Sequence, residues 1–142
     1  MDLYFVGMKF NRQGAQKELN EFMMDELQGN CLLSYVNDRK EIDKRIAETN
    51  YKGKFFIDSG AFTMWTKGKS IDVDAYIDFI NQRSDFIDIY GQVDFIPGDI
   101  VKGATKEQVE EAAHKTWENY LYMRPRMKKP EGLLYTFHVG EP

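Results

Sequence analysis

Short apolar runs alternate with longer amphipathic segments along the whole chain. The runs are rich in Val, Ile, Phe and Tyr, a composition typical of buried strands. They predict five strands, at residues 3–8, 31–36, 55–58, 86–93 and 133–138. The segments between them carry apolar residues at helical spacing, as at Tyr76, Ile77 and Ile80. They predict four helices, at residues 12–28, 38–48, 72–84 and 105–127.

This alternation predicts an α/β fold whose strands are parallel and are joined by right-handed crossovers. An open doubly wound sheet and a barrel both fit the alternation, and the pattern alone does not choose between them. No linker or low-complexity tract interrupts residues 1–142, so we expect a single domain. The sequence ends directly after Gly140 and Glu141, with no helix to cover the fifth strand. We therefore expect a fold that continues past Pro142.

Charge and composition argue against several classes of protein. The formal net charge of -4 shows no overall basic excess, so contact with nucleic acid would need a local patch or a region outside this chain. No apolar stretch approaches the ~20 residues needed to cross a bilayer, and the first residues lack the features of a signal peptide. The single Cys31 lies in an apolar run without Cys or His neighbours, which predicts a buried thiol. We therefore expect a cytoplasmic protein that contacts no membrane.

Asp58 ends the third predicted strand, and the working residues of parallel α/β proteins lie at such strand ends. Ser59 and Gly60 follow as a tight turn, and Phe62 and Trp65 come next, in a predicted loop. A carboxylate beside small residues and aromatics suits a flat heterocycle, because the acid accepts hydrogen bonds from ring N–H groups while an aromatic face stacks. Asp-Ser-Gly is also a common turn sequence, so an Asp58 that only caps a turn explains the segment equally well.

Asp94 follows the fourth predicted strand in apolar company, between Val93 and Phe95. A carboxylate in such surroundings is costly unless it is paired or used, which makes Asp94 a candidate site residue. An Asp94 that is buried and satisfied by loop amides explains the same pattern. Asp88, nearby in the strand, is more simply a solvent-facing or helix-capping acid.

The fifth predicted strand ends in His138, which suits a general acid or base, although a packed His is commoner. No second His or Cys stands at metal-ligand spacing, so we expect no zinc site within this chain. The motifs GxGxxG, GxSxG and HExxH and the P-loop do not occur, which argues against dehydrogenases, esterases, zinc proteases and nucleotide hydrolases.

Three motifs, IDSGAF, VDFIPGD and VGE, occur in the same order as in tRNA-guanine transglycosylases and their phage-encoded relatives. These enzymes exchange guanine for 7-deazaguanines in nucleic acid. The similarity is strongest to the phage-type branch, whose Asp-Ser-Gly-Ala-Phe turn, Thr-Lys-Gly loop and FHxGE strand this chain resembles. The resemblance covers most of the chain, and it implies the N-terminal half of a (β/α)₈ TIM barrel with sheet order 1-2-3-4-5.

The resemblance also implies roles for the turn after the third strand. Asp58 matches an Asp that lies at the exchanged base and transfers protons, so the resemblance makes it the catalytic candidate. Ser59 and Gly60 match the adjoining turn residues that bind the substrate. Phe62 matches the aromatic side chain that packs against the base.

Two later motifs complete the implied substrate site. Asp94 matches a second family Asp that reads the amino and ring N–H edge of a guanine-like base. Gly140 and Glu141 match a strand end whose neighbourhood donates backbone hydrogen bonds to the base carbonyl.

This chain departs from the family pattern at three positions and at its end. Ala61 replaces a Gly of the commonest turn, Thr63 replaces a Gln, and Thr136 stands where bacterial members have a Gly. These departures bear on which base is preferred. The family's nucleophilic Asp and its zinc ligands, three Cys and one His, would lie past Pro142, so we expect this chain to be inactive alone and to hold no cofactor.

In the complete enzyme, the resemblance implies that an Asp carboxylate attacks the ribose carbon, guanine leaves, and the modified base displaces the enzyme. The partners would be guanine or a 7-deazaguanine base, with tRNA or DNA as the acceptor. Two other hypotheses remain open: a non-catalytic α/β module that binds a nucleobase, and a structural half-barrel that pairs its open sheet edges with another chain.

Overall fold

A single parallel sheet organises the chain. The computed structural model describes residues 2–6, 14, 18, 19, 22, 29–48 and 52–136. In them the strands are β1 (Tyr4–Val6), β2 (Asn30–Ser34), β3 (Phe55–Asp58), β4 (Ile87–Gly91) and β5 (Leu133–Leu134). All four pairings are parallel, in the order β1-β2-β3-β4-β5. The predicted α/β class and sheet order are confirmed, and this order is consistent with a partial barrel because a doubly wound sheet reverses direction.

The helices lie between the strands in the chain. The described residues include α1 (Tyr35–Glu48), α2 (Ala61–Trp65), α3 (Val73–Gln82) and α4 (Lys106–Met123). Two short 3-10 turns, Arg124–Arg126 and Pro130–Gly132, join α4 to β5. A capping box starts α4, since the Thr105 hydroxyl accepts from the Gln108 N–H at 3.3 Å while the Gln108 side chain accepts from the Thr105 N–H at 2.9 Å.

Several predicted bounds are wrong, for local reasons. The second predicted strand was placed too far along the chain, because Tyr35 and Val36 already belong to α1. Asp38 explains this early start, since its carboxylate accepts from the Ser34 N–H at 2.9 Å and closes the first turn of the helix. The fourth strand is shorter than residues 86–93, because β4 ends at Gly91. Most of the predicted helix 12–28 lies outside the described residues.

The sheet has one face packed against helices and one face that is less buried. Along β3, Phe55 and Ile57 are fully buried, whereas Phe56 is half-buried and Asp58 is exposed. Alternation of this kind follows from the pleat, which points successive side chains to opposite faces. On the less buried face, the rings of Tyr4 and Phe56 meet edge to face at 5.8 Å. Cys31 is buried, as predicted, and forms no disulfide within the part of the chain that the structure describes.

The part of the chain that the structure describes contains no helix long and apolar enough to cross a membrane.

Gly60 is the residue that lets β3 turn directly into α2. Its φ is +78°, in the left-handed region, and it is the residue that precedes the first turn of α2. A Cβ added there would lie 2.7 Å from Val36 Cγ2 and 2.8 Å from the Ser34 hydroxyl. Only glycine therefore allows both this backbone conformation and this close approach to α1.

We expect Gly60→Ala to destabilise the fold by about 2–4 kcal/mol, since it adds the strain of a left-handed alanine to a steric clash. Gly68→Ala is the matched control, because Gly68 also has a positive φ, +65°, but nothing lies within 4 Å of its added Cβ. Gly68→Ala should cost only about 1 kcal/mol. Urea titration measures both free energies of unfolding, and equal losses would contradict the role given to the Val36 contact.

Candidate functional site

Asp58 is the last residue of β3, and the turn after it fixes its carboxylate. Oδ2 accepts a hydrogen bond from the Gly60 N–H at 3.1 Å. Ser59, between them, is buried at 2% exposure, so it is part of the packed turn. The interpretation of Asp58 as a turn cap is therefore confirmed as geometry. This capping role does not prevent the carboxylate from meeting a ligand, since the Asp58 side chain is exposed at the carboxyl edge of the sheet.

Asp94 lies three residues beyond the end of β4, in a loop that α4 anchors on both sides. The Asn119 side-chain amide donates to the carbonyl of the preceding residue at 2.8 Å. The Thr116 hydroxyl accepts from the N–H of the following residue at 2.8 Å. Asp94 itself is half-buried, and its Oδ1 accepts from Gln92 Nε2 at 3.1 Å. The loop conformation is thus set by side chains of a long helix.

The negative charge of Asp94 acts on Asp58. Although the Asp58 side chain is partly exposed, protein atoms around its carboxylate displace part of its water, and this partial desolvation is the main cause that raises its pKa above the ordinary value. The negative charge of Asp94 raises it further. The backbone N–H groups of Gly60 and Ser59 lower it and only partly offset these causes. The sheet order explains the proximity, because β3 and β4 are neighbours and their carboxyl ends share one edge.

Tyr76 is a core residue on which the charges of both acids act. The sequence pattern assigned it only to the apolar face of a helix. Its side chain is fully buried, and its hydroxyl donates to the Gly91 carbonyl at 2.9 Å and lies 3.5 Å from the Ile57 carbonyl. Burial, and then the charge of Asp58, raise the pKa of Tyr76 well above its ordinary value. The hydroxyl therefore stays a neutral donor that ties the ends of β3 and β4 together.

A cleft of about 320 Å³ opens beside Asp94, between α2 and the loop that follows β4. Trp65 and Phe95 contribute aromatic walls, while Asp94 and Lys69 contribute opposite charges. This volume and this mixture of apolar walls with a few polar groups are usual for small-molecule sites. Asp58 is not among the lining residues, so a ligand that meets both acids would extend from the cleft toward the end of β3.

The other predicted site residues have different outcomes. Residues 62–65 were predicted as loop and instead belong to α2, because left-handed Gly60 directs the chain straight into a helix. Phe62 is 63% exposed, and its ring lies 5.6 Å from that of Trp65. It is therefore accessible at the rim of the site. Gly140 and Glu141, together with His138, lie outside the described residues.

A metal site does not emerge from the described residues, where no group of three or more His, Cys, Asp or Glu side chains could hold an ion. Asp88 is a surface acid, as expected, with its Oδ1 3.9 Å from Lys54 Nζ.

Replacement of Asp58 by Asn should stabilise the fold at neutral pH. Because the fold raises the Asp58 pKa, the folded state binds a proton more tightly than the unfolded chain, and ionised Asp58 disfavours folding. Asn removes this charge and keeps an oxygen for the Gly60 N–H. The gain should be largest at neutral pH and should vanish as the pH falls toward the ordinary value of 3.8.

Asp99→Asn is the control of opposite sign, since the N–H groups of Lys102 and Val101 lower the pKa of Asp99. That variant should lose stability at neutral pH, and the loss should disappear in acid. Urea titrations across this pH range measure both. A pH-independent effect of Asp58→Asn would contradict the electrostatic account of this acid.

Comparisons with known proteins give no match to this chain, whether with family models, with curated proteins or with solved structures.

Proposed function

We propose that this domain binds a guanine-like base at the carboxyl edge of its sheet, and that it does so for the exchange of guanine by a 7-deazaguanine in tRNA or DNA. The observation that supports this is the pair of acids at one edge of the sheet: Asp58 ends β3, and Asp94, three residues after β4, raises the pKa of Asp58 and lines a cleft with the aromatic walls Trp65 and Phe95. The motif resemblance supports the choice of base.

Asp94 has the chemistry to select the base. Guanine and its 7-deaza analogues present an amino group and a ring N–H on one edge, and a carboxylate accepts from both. Trp65 and Phe95 in the same cleft provide flat apolar surface for the rings. A site built to accept two N–H groups rejects bases that lack one of them, because a polar group is then left unpaired.

Asp58 has the chemistry to move a proton. A departing guanine must gain a proton on its ring, and an incoming base must lose one. A carboxyl group whose pKa is raised above its ordinary value is better matched to such transfers near neutral pH than an unperturbed one. In the proposal Asp58 therefore exchanges protons with the base that Asp94 selects, and the described residues are assigned no role as nucleophile.

A second candidate function is self-association, in which the edge strand β5 pairs with a second copy of this chain. Leu134 in this strand is exposed, and so are Trp117 and Leu121 on α4. The Trp117 ring stacks on Tyr120 at 5.3 Å and meets Tyr135 at 5.1 Å. Exposed apolar side chains beside a strand edge that has no partner strand in the described sheet favour association.

Size-exclusion chromatography with light scattering tests this candidate, because it measures the molar mass of the protein in solution. If β5 is an interface, the protein should elute as a dimer or larger, and Leu134→Lys should return it to a monomer while the helical content is kept. A monomeric wild-type protein at high concentration would exclude it.

The central test of the proposal is Asp94→Asn. We expect guanine binding, measured by calorimetry, to weaken by about 10-fold to 100-fold, because the amide presents donors where the base also presents donors. Hypoxanthine, which lacks the amino group, should bind the wild-type protein less tightly than guanine, and this difference should shrink in the variant.

Asp88→Asn is the matched control, since Asp88 is an exposed carboxylate of β4 and should leave guanine binding unchanged. A wild-type protein that does not distinguish guanine from hypoxanthine would overturn the assignment of Asp94.

A further inference from the structure

Gln92 is a buried amide immediately after β4 that the sequence motifs did not single out. Its side chain is 1% exposed, and its backbone N–H donates to the Leu134 carbonyl at 3.2 Å, which continues the pairing between β4 and β5. It stands two residues before Asp94 and therefore lies between the end of the sheet and the proposed base-reading acid.

The side-chain nitrogen of Gln92 donates two hydrogen bonds. Gln92 Nε2 donates to Asp94 Oδ1 at 3.1 Å and to the Thr136 carbonyl at 3.3 Å. A donor that meets an ionised carboxylate makes a stronger hydrogen bond than one that meets a neutral acceptor. The amide thus links the Asp94 carboxylate to the chain that follows β5.

The orientation of the amide is forced by its neighbours. A reversed amide would place its oxygen against a carboxylate oxygen of Asp94 and against the Thr136 carbonyl, which are both acceptors. In the observed orientation, Gln92 Oε1 is buried and has no hydrogen-bond donor among the described residues. Among the described residues, the contacts of this amide are therefore those that its nitrogen makes with Asp94 and Thr136.

We infer that Gln92 is the positioning residue of the site: its amide fixes the Asp94 carboxylate for the N–H edge of a base and couples that carboxylate to the end of β5. This inference rests on the proposed function, since it concerns how the base-reading acid is held. Gln92 acts through Asp94 and does not itself contact the base.

Gln92→Met and Gln92→Glu test this role. Gln92→Met keeps the length of the side chain and removes the amide, so guanine binding should weaken by about tenfold, the effect of losing one charge-assisted hydrogen bond. Gln92→Glu places a carboxyl group beside Asp94. Two ionised carboxylates at this spacing repel, so guanine binding by Gln92→Glu should be weak at neutral pH and should recover in mild acid, where one proton is shared.

Asn81→Leu is the matched control for loss of a structural amide. Asn81, on α3, donates to the Arg126 carbonyl at 2.8 Å and accepts from the Lys128 N–H at 2.8 Å, away from the acids. The Asn81→Leu variant should have a lower free energy of unfolding, while its guanine affinity and the pH profile of that affinity stay unchanged. If Gln92 were only structural, its variants would behave in the same way, and that result would overturn the inference.

A second measurement does not need a ligand. The side-chain amide resonances of Gln92 in a proton–nitrogen correlation spectrum should move in Asp94→Ala and should be unaffected in Asp88→Asn. Absence of guanine binding by the wild-type protein would reject the proposed function together with the base-reading part of this inference. Unmoved Gln92 resonances in Asp94→Ala would reject the coupling itself, even in a protein that binds guanine.

Discussion

The position of the Tyr76 hydroxyl is the constraint on which the site depends. This single group lies within hydrogen-bond distance of the carbonyls of Ile57 and Gly91, one residue before the end of β3 and at the last residue of β4. These contacts hold α3 against the edge of the sheet at which β3 and β4 end. The separation and direction of the two strand ends decide where Asp58 and Asp94 stand, so the geometry of the acids follows from a contact in the core.

The fold class could be predicted because each level of the sequence points to the same answer. The apolar runs are short and rich in β-branched and aromatic residues, and the segments between them have the helical period, so alternation of strand and helix is unambiguous. Parallel strands then require that the acids after β3 and β4 meet at one edge. Asp58 could be singled out because it ends a predicted strand, and Asp94 because it follows one in apolar company. Both also lie in the motifs that carry the resemblance.

The parts that could not be predicted depend on tertiary contacts or on short elements. Helix α2 has five residues, too few to show a period, and its start depends on the left-handed conformation of Gly60. The hydroxyl of Tyr76 looks like one more residue of an apolar stripe. Gln92 was included in a predicted strand, and its role depends on how the chain leaves β4 and on the nearby backbone of Thr136, neither of which has a local pattern.

The order of the sheet also bears on how the molecule reaches its folded state. In the described sheet every strand pairs with its neighbour in sequence, so each pairing closes a shorter stretch of chain than a pairing between distant strands would. Of the pairings, β4 with β5 closes the longest stretch of chain, as Tyr90 pairs with Leu133, and β5 contributes only two residues to it. If this short pairing of β4 with β5 forms late, the Gln92 amide cannot make its hydrogen bond to the Thr136 carbonyl until the last stage of folding. The contact of Gln92 with the chain after β5 would then be completed by the last folding event, and local unfolding that begins at β5 would break it first.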